Sequence, residues 1–238
     1  MIDAALRAAF EATWPPAELA ECGGFVVGRG EGAGGRVSSA RKVAEDWTEA
    51  DLASAELQHE AWHQPLLFRV LEGDARLIAA LEARGYRAEK PTLILATALD
   101  ALTGEAVPDM TAFALWPPLA VQRELWSAGA VDAPRQRVMA RAPQPKAALL
   151  GRVKDRAAGA GFCAVHGDVA MLHGIEVAPG FRRLGVGGAM LRRAAFWAAA
   201  HGATRMALAV AEKNGPAIAL YRRLGFTDVG RYGYWRRR

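Results

Sequence analysis

Hydrophobic residues in the first half of the chain alternate with polar ones over short runs, or recur every three to four positions over longer ones. The first pattern is typical of strands and the second of amphipathic helices. Together they predict strands at Gly23–Gly28, Arg36–Val43, Leu66–Leu71 and Lys90–Thr97. They predict helices at Met1–Trp14, Glu49–His63 and Ala75–Arg84.

Similar patterns fill the second half, after a stretch at 98–110 that contains Gly104 and Pro108 and reads as a linker. Strands are predicted at Met110–Leu115, Ala147–Val153, Gly161–His166, Val169–Val177, Arg205–Val210 and from Phe226 to Arg238. Helices are predicted at Leu119–Ala128, Leu184–His201 and Pro216–Leu224. The stretch 130–146 is the least patterned, and we expect it to form loops.

The connections between predicted strands indicate how the strands pair. The links at 154–156 and 167–168 are too short for a crossover, so the meander from Ala147 to Val177 is expected to be antiparallel. The later strands alternate with helices, which favours a mixed sheet with helices packed on its faces. We therefore expect an α/β fold with an α+β mixed sheet, organised as tandem lobes at 1–104 and 105–238.

Composition and charge narrow the functions that this fold can carry. The longest unbroken apolar run, Ala194–Ala200, is far shorter than the roughly 20 residues of a membrane span. Asp3, Arg7 and Glu11 interrupt the first helix, so Met1–Trp14 is not expected to be a signal peptide. The net charge is +5, but no DNA- or RNA-reading motif accompanies it. These features predict a cytoplasmic protein with an anionic small-molecule partner, and neither a membrane nor a nucleic acid.

A glycine-rich segment between an apolar strand and a long helix is the strongest candidate for binding such an anion. At this junction the first N–H groups of the helix lack internal partners and carry partial positive charge, which suits a pyrophosphate. Glycines let phosphate oxygens approach the backbone, and arginines add donors. The predicted binding residues are Arg182, Arg183, Leu184, Gly185, Val186, Gly187 and Gly188.

A second segment, Arg29-Gly30-Glu31-Gly32-Ala33-Gly34, has the same Arg and Gly spacing. It falls between two predicted strands, with no helix after it to supply N–H groups. The context of a motif decides its meaning, so we expect this copy to be a flexible turn that binds no phosphate.

Downstream of the glycine turn, a second motif gives the chain a recognisable family likeness. It consists of Asn214, Ala217, Tyr221, Gly225 and Phe226 at fixed spacing. With the Arg-x-x-Gly-x-Gly turn about 30 residues earlier, residues 110–238 resemble a GNAT-superfamily N-acetyltransferase. The first lobe resembles the degenerate N-terminal half of two-lobed GNAT proteins. In that lobe Leu81 stands where the second lobe has Tyr221, so no catalysis is expected there.

The resemblance implies an activity and roles for individual residues. It implies acetyl-CoA as co-substrate and direct transfer of the acetyl group to a primary amine, on a small molecule or a protein N-terminus. The backbone N–H near Val177 would stabilise the developing oxyanion, and Asn214 would contact the cofactor. Tyr221 would also contact the cofactor and act as general acid for the departing thiolate.

The general base is open between two residues of the strand Val169–Val177. Strand alternation places His173 on the face that fronts the acceptor in this family, so His173 is the first candidate. Glu176 is the second, because a bulge at Gly174 would reverse its parity and bring it to the same face. GNAT proteins that carry a Glu one strand over have it at the position of Ala209, where alanine cannot act as a base.

Two other functions compete with acetyl transfer. His59-Glu60-Ala61-Trp62-His63 matches the His-Glu-x-x-His pattern of zinc hydrolases, although Pro65 ends the predicted helix at once. We expect a buried histidine at position 59 and no metal. The other alternative is an acyl-CoA-binding module that senses the cofactor without catalysis. The oligomeric state is open between a monomer and a homodimer.

Overall fold

The computed structural model describes residues 2–237. Its helices are α1 (Ala4–Ala12), α2 (Gly35–Ser38), α3 (Glu49–Ala61), α4 (Ala75–Ala83), α5 (Asp100–Thr103), α6 (Ala120–Ala128), α7 (Ala133–Arg141), α8 (Val186–Ala199) and α9 (Gly215–Arg223). Its strands are β1 (Glu18–Cys22), β2 (Phe25–Arg29), β3 (Ala40–Lys42), β4 (Leu67–Leu71), β5 (Arg87–Ala98), β6 (Ala112–Leu115), β7 (Lys146–Val153), β8 (Arg156–His166), β9 (Val169–Val177), β10 (Arg205–Ala211) and β11 (Thr227–Arg236). Met1 and Arg238, which the predicted first helix and last strand include, lie outside the described residues.

The larger of two compact units comprises Met1–Trp14 and Ile94–Val229. Its strand order is β11-β5-β10-β9-β8-β7-β6, with the beginning of β11 and the end of β5 at one edge. The strands from β6 to β9 pair antiparallel, as the short links predicted, and β9 pairs parallel with β10. This confirms the predicted α/β class with a mixed sheet.

Helices cover both faces of the sheet in this unit. Gly151 and Gly159 leave space for Val186 and Met190, so the first turns of α8 lie close against β7 and β8. Phe162, at the opposite parity of β8, packs against Trp14 at the end of α1, with ring centroids 6.2 Å apart. One sheet face therefore carries α8 and the other carries α1.

The second unit comprises Pro15–Leu93 and Gly230–Arg238. Its strand order is β1-β2-β3-β4-β11-β5, and β11 pairs antiparallel with β4. Its core is a cluster of edge-to-face aromatic contacts, in which Phe68 lies 5.6 Å from Phe25 and 5.4 Å from Tyr86 between ring centroids. Leu52 and Leu81 are fully buried beside them. Large apolar side chains thus form the core of this unit.

A repeated helix-to-strand corner appears once in each unit. Gly85 after α4 and Gly225 after α9 both adopt the left-handed conformation, with φ of 83° and 85°. In both corners the next residue donates a backbone hydrogen bond back to the helix, Tyr86 to Leu81 and Phe226 to Tyr221. Only glycine adopts this φ without a steric penalty, which explains why the two segments share a sequence pattern.

Some predicted elements of the first unit are wrong. Strand β1 was not predicted, and the predicted strand Arg36–Val43 is the short helix α2 followed by β3. The second segment with the Arg and Gly spacing, residues 29–34, was expected to have no helix after it. It is followed by helix α2, but this helix has only a single turn. Val37 is buried, so this turn serves the core.

Helix α7 lies in the stretch where loops were predicted. Asp132 caps it by accepting from the Arg135 N–H at 3.1 Å, and Pro134 stands in its first turn. Val138 and Met139 are its buried residues. A stripe this narrow gives too little periodicity to distinguish a helix from a loop.

Strand β9 contains a bulge at Gly174, the position at which the sequence analysis allowed for one. Gly174 has φ of +55°, and the register with β8 shifts there. His173 stands opposite Phe162 and Glu176 opposite Ala160. Because Ala160 and Phe162 share a face of β8, His173 and Glu176 share a face as well.

The His-Glu-x-x-His segment does not form the geometry of a zinc site. Helix α3 ends at Ala61, and His63 lies beyond it, exposed and with φ of +50°. His59 is fully buried, with Nε2 3.0 Å from the Leu67 carbonyl and Nδ1 3.3 Å from the Gln64 amide nitrogen. Both ring nitrogens are hydrogen-bonded, and the two histidines do not share a helical face. Within residues 2–237, no three His, Cys, Asp or Glu side chains cluster as metal ligands.

Among the helices of the described residues, none is both long and apolar enough to span a bilayer.

Replacing Gly174 with alanine is expected to destabilise the fold by more than the backbone strain alone. The new Cβ would lie 2.9 Å from Met139 Cε and 3.3 Å from Val131 Cγ2. Gly167→Ala is the matched control, because Gly167 has φ of +58° but faces open space. Both variants incur about 1–2 kcal/mol of left-handed strain, and Gly174→Ala adds about 1–3 kcal/mol of overpacking. The free energy of unfolding of both variants is measured in urea. An equal loss of this free energy in Gly174→Ala and Gly167→Ala would contradict the packing described for Gly174.

The stability of the protein is expected to fall between pH 6.5 and about pH 4 because of His59. Burial lowers the pKa of His59 to about 4. In this window the unfolded chain binds a proton that the folded chain does not, so acidification favours unfolding, by about 3 kcal/mol over the whole window. Urea unfolding at several pH values measures this slope. His59→Leu is expected to be less stable at pH 7.5 but to show a flatter profile, and an unchanged profile would contradict the assignment.

Candidate functional site

The central feature of the site is a gap between two neighbouring strands. Parallel pairing of β10 with β9 runs from Arg205 and Val169 to Leu208 and Leu172. Both strands continue beyond these residues, β9 to Val177 and β10 to Ala211, but no longer pair with each other. The backbone groups that face each other beyond the paired part can therefore receive an extended ligand, as a sheet edge receives an added strand.

The backbone N–H of Val177 faces this gap. Ala178 donates its N–H to the Ala158 carbonyl on β8 at 2.9 Å. Because successive residues of a strand direct their backbone groups to opposite edges, Val177 directs its own towards β10. Arg182 donates from Nε to the Val177 carbonyl at 3.1 Å, which ties the following turn to the end of β9.

The glycine turn leads directly from the gap into α8. One turn of 3-10 helix at Pro179–Phe181 precedes it, and Arg182, Arg183, Leu184 and Gly185 are exposed. Gly185 has φ of +80° and is the N-cap of α8. The first turn of the helix, Val186–Ala189, consists of uncharged residues. Its N–H groups and the helix dipole therefore present positive charge beside two arginines.

Glycine is needed at positions 185 and 187 of this turn for different physical reasons. A Cβ at Gly185 would point into open space, so this glycine is required for its left-handed backbone. A Cβ at Gly187 would lie 2.9 Å from Leu220 Cδ2. Gly187 thus leaves space for the Leu220 side chain of α9, a role that the sequence motif alone did not indicate.

A cleft of about 520 Å³ adjoins the turn at Leu184–Val186. It is bounded by the loop 108–111, the β7–β8 turn and the first turns of α8. Arg152, Lys154 and Arg192 line it together with Asp109 and Asp155. Its volume is that of an ordinary small-molecule pocket.

Helix α9 carries two further predicted site residues. Asn214 is exposed and caps the helix by accepting from the Ala217 N–H at 3.3 Å. Tyr221 is buried, with its ring 5.8 Å from that of Phe226. Burial and the nearby negative charge of Glu176 raise the pKa of Tyr221 to about 12. The Tyr221 phenol is therefore protonated at neutral pH.

His173 is held by the end of α1. Its Nε2 lies 3.0 Å from Thr13 Oγ1, and its ring lies 4.8 Å from that of Trp14. The same hydroxyl lies 2.7 Å from the Ala9 carbonyl of α1. Nε2 of His173 is therefore engaged by a hydroxyl at the end of α1.

Glu176 is half-buried on the same face of β9, nearer the open end of the gap. Its Oε1 accepts from the Ala130 N–H at 3.1 Å. Its charge acts on Tyr221, so the structure brings together Glu176, Val177, Tyr221 and the glycine turn. Thr13 and Ala130, which contact the two base candidates, carried no sequence signal. Both act through backbone or hydroxyl groups that no motif records.

Sequence comparisons relate the second half of the chain to a known protein family. Residues 110–226 match the family model described as acetyltransferase (GNAT) family. Streptothricin acetyltransferase from Streptomyces lavendulae is 43% identical over 75 residues, which is 30% of this chain and 40% of that protein. Acetyl transferase GW6a from Oryza sativa subsp. japonica is 42% identical over 66 residues, 28% of this chain and 14% of that protein. The chain thus spans less than half of the length of both curated relatives.

A solved structure shows that the likeness of fold extends over both halves of the chain. The GCN5-related N-acetyltransferase from Kribbella flavida superposes with a TM-score of 0.68 at 20% identity, covering 93% of this chain and 89% of that one. At 20% identity, this comparison shows similarity of fold and not of function. The family match itself is to residues 110–226, and these residues therefore form a domain of the GNAT acetyltransferase family.

Proposed function

We propose that this protein is an acetyl-CoA-dependent N-acetyltransferase that acetylates a primary amine in a ternary complex. The observation that carries the proposal is the end of the pairing between β9 and β10 before an exposed glycine turn and a helix N-terminus. Acetyl-CoA has an extended pantetheine arm joined to a pyrophosphate. An extended arm suits the strand edge, and a pyrophosphate suits the helix N-terminus.

The residues that would hold acetyl-CoA lie along this path. The turn Arg182–Gly188 would bind the pyrophosphate through the N–H groups of α8 and the guanidinium groups of Arg182 and Arg183. Val177, Asn214 and Tyr221 would contact the arm and its thioester. The cleft beside Leu184 offers space for the nucleotide portion, and its Arg152 and Arg192 are ion-paired with Asp155 and Glu105.

Acetyl-CoA supplies an acetyl group activated as a thioester, which a neutral amine can attack. The Val177 N–H would donate to the carbonyl oxygen on which negative charge develops, and one such donor contributes about 3 kcal/mol. The Tyr221 phenol would donate its proton to the departing sulfur and recover one from solvent. At neutral pH the phenol carries the proton that this role requires, and because its raised pKa makes it a weaker acid than a free tyrosine, the transfer depends on a short hydrogen bond to the sulfur.

Glu176 is the better-supported base of the two candidates. It would accept a proton from the acceptor nitrogen and release it to solvent. The sequence favoured His173, but His173 is buried against Trp14 and its Nε2 is within hydrogen-bond distance of Thr13. In this proposal His173 anchors α1 to β9. A carboxylate at the base position also favours a cationic amine as acceptor, either a small molecule or a protein N-terminus.

Catalysis is assigned to 105–238, and 1–104 are assigned a supporting role. In the first half, the Arg and Gly copy at 29–34 leads into α2, which has only four residues. Leu81 occupies the place that Tyr221 has in the repeated corner. The chemistry proposed for 105–238 is compatible with a monomer or a homodimer. The two free and buried cysteines, Cys22 and Cys163, are consistent with a reducing cytoplasm.

Calorimetric titration with acetyl-CoA tests the cofactor assignment. Wild type is expected to bind with micromolar affinity, and Gly185→Glu to bind roughly 10- to 100-fold more weakly, because a carboxylate would stand beside the pyrophosphate. Gly202→Glu is the matched control: Gly202 has φ of +85°, faces open space and follows the other end of α8. It introduces the same charge and strain and is expected to bind as wild type.

Turnover is then measured as release of free CoA thiol across a panel of primary amines. Binding that weakens equally in both glutamate variants, or no binding by wild type, would contradict the cofactor assignment. Binding without turnover on any amine would instead support a sensing module.

A further inference from the structure

One short segment holds the bulge of β9 from outside the sheet. It consists of Trp126, Gly129 and Ala130, at the end of α6 and just beyond, and is called here the clamp. Trp126 is fully buried, and its indole N–H donates to the Gly174 carbonyl at 2.8 Å. A buried indole N–H needs an acceptor, and a bulge carbonyl is turned out of the regular ladder. Each therefore satisfies the other.

The same segment fixes the carboxylate of Glu176. The Ala130 N–H donates to Oε1 at 3.1 Å. A Cβ at position 129 would lie 2.7 Å from Glu176 Cδ and 2.9 Å from Oε2. Gly129 has φ of −100° and ψ of −138°, which lies outside the main regions that L-residues adopt, so the backbone favours glycine here in addition to the space that it leaves for Glu176. A side chain at this position would displace the carboxylate.

The two contacts act on different properties of Glu176. The hydrogen bond from Trp126 supports the bulge, without which Glu176 would lie on the other face of β9. The Gly129-Ala130 turn then sets where the carboxylate lies on that face. Neither Trp126 nor Gly129 belongs to the two motifs that define the family likeness.

Resting on the proposed function, we infer that Trp126 and Gly129 are positioning residues for acetyl transfer. They hold Glu176 where it accepts the proton of the acceptor amine. An error of about 1 Å in the place of such a group costs roughly 100-fold in rate, so a single methyl group at position 129 has a measurable effect.

The first test is a double-mutant cycle between Gly129→Ala and Glu176→Gln, measured as kcat at saturating acetyl-CoA. Gly129→Ala is expected to lower kcat by roughly 10- to 100-fold and to leave the Kd for acetyl-CoA unchanged. In the Glu176→Gln background it is expected to have no further effect, because the displaced group no longer acts as a base. Gly104→Ala is the control, since its nearest contact is an ordinary 3.7 Å.

The second test uses NMR to measure the hydrogen bond between the clamp and Glu176, and it does not depend on enzyme activity. In NMR spectra of the wild type, the Ala130 amide proton is expected to be shifted downfield by its hydrogen bond to the Glu176 carboxylate. Gly129→Ala and Glu176→Gln are expected to move this resonance upfield, because each weakens that hydrogen bond. Trp126→Phe keeps the ring but deletes the N–H, and is expected to reduce kcat in the same direction should Gly129→Ala fold poorly.

The outcomes separate this inference from the proposed function. Losses that multiply in the double variant, a Gly129→Ala enzyme with wild-type kcat, or an Ala130 amide that ignores Glu176 would each overturn the inference while acetyl-CoA binding persists. A wild type that binds no acetyl-CoA would overturn the proposed function, and the catalytic role of the clamp with it.

Discussion

The end of the pairing between β9 and β10 is the constraint on which the rest of the site depends. Two parallel strands that run side by side satisfy each other's backbone groups as far as Leu172 and Leu208. Beyond that point they no longer pair, and the site residues gather along the unpaired part. The Val177 N–H faces the gap, the glycine turn closes its end, and α9 brings Tyr221 to its side. A sheet paired along its full length would offer none of these groups to a ligand.

The bulge in β9 determines which face of the strand its neighbouring residues lie on and which elements they contact. Gly174 shifts the register, so that His173 and Glu176 lie on one face although three positions separate them. On that face His173 meets the end of α1 and forms a hydrogen bond to Thr13, while Glu176 meets the turn after α6. Local geometry therefore distinguishes two titratable residues that a regular strand would have placed on opposite faces. The more buried of the two packs against Trp14, and the one nearer the gap is the base in the proposed function.

Most of the fold was predictable because its elements carry strong local patterns. The antiparallel meander followed from short turns, and the corners at Gly85 and Gly225 followed from the left-handed φ that glycine supplies. Helix α7 was missed because its buried stripe is only Val138 and Met139, and α2 because one turn of helix resembles a strand end. The limit of α3 at Ala61 was missed because the hydrophobic pattern continues to Trp62 while the backbone already turns.

The candidate site was predictable where it depends on backbone conformation and less so where it depends on tertiary contacts. The turn Arg182–Gly188 and the bulge at Gly174 have glycines that mark them. The contact of Thr13 with His173 joins residues 160 positions apart, and no pattern in α1 indicated it. The space that Gly129 leaves for Glu176 is equally invisible in one sequence, because a glycine after a helix has a simpler explanation as a helix end.

Hydrogen exchange at single amides, with and without acetyl-CoA, tests the central claim most directly. If the gap beyond Leu172 and Leu208 receives the pantetheine arm, the amide of Val177 and those of Val186–Gly188 should exchange more slowly together when acetyl-CoA is added. Amides of β7, already paired within the sheet, should not change. Binding of acetyl-CoA that protects other parts of the chain but leaves Val177 and the start of α8 unaffected would contradict the account.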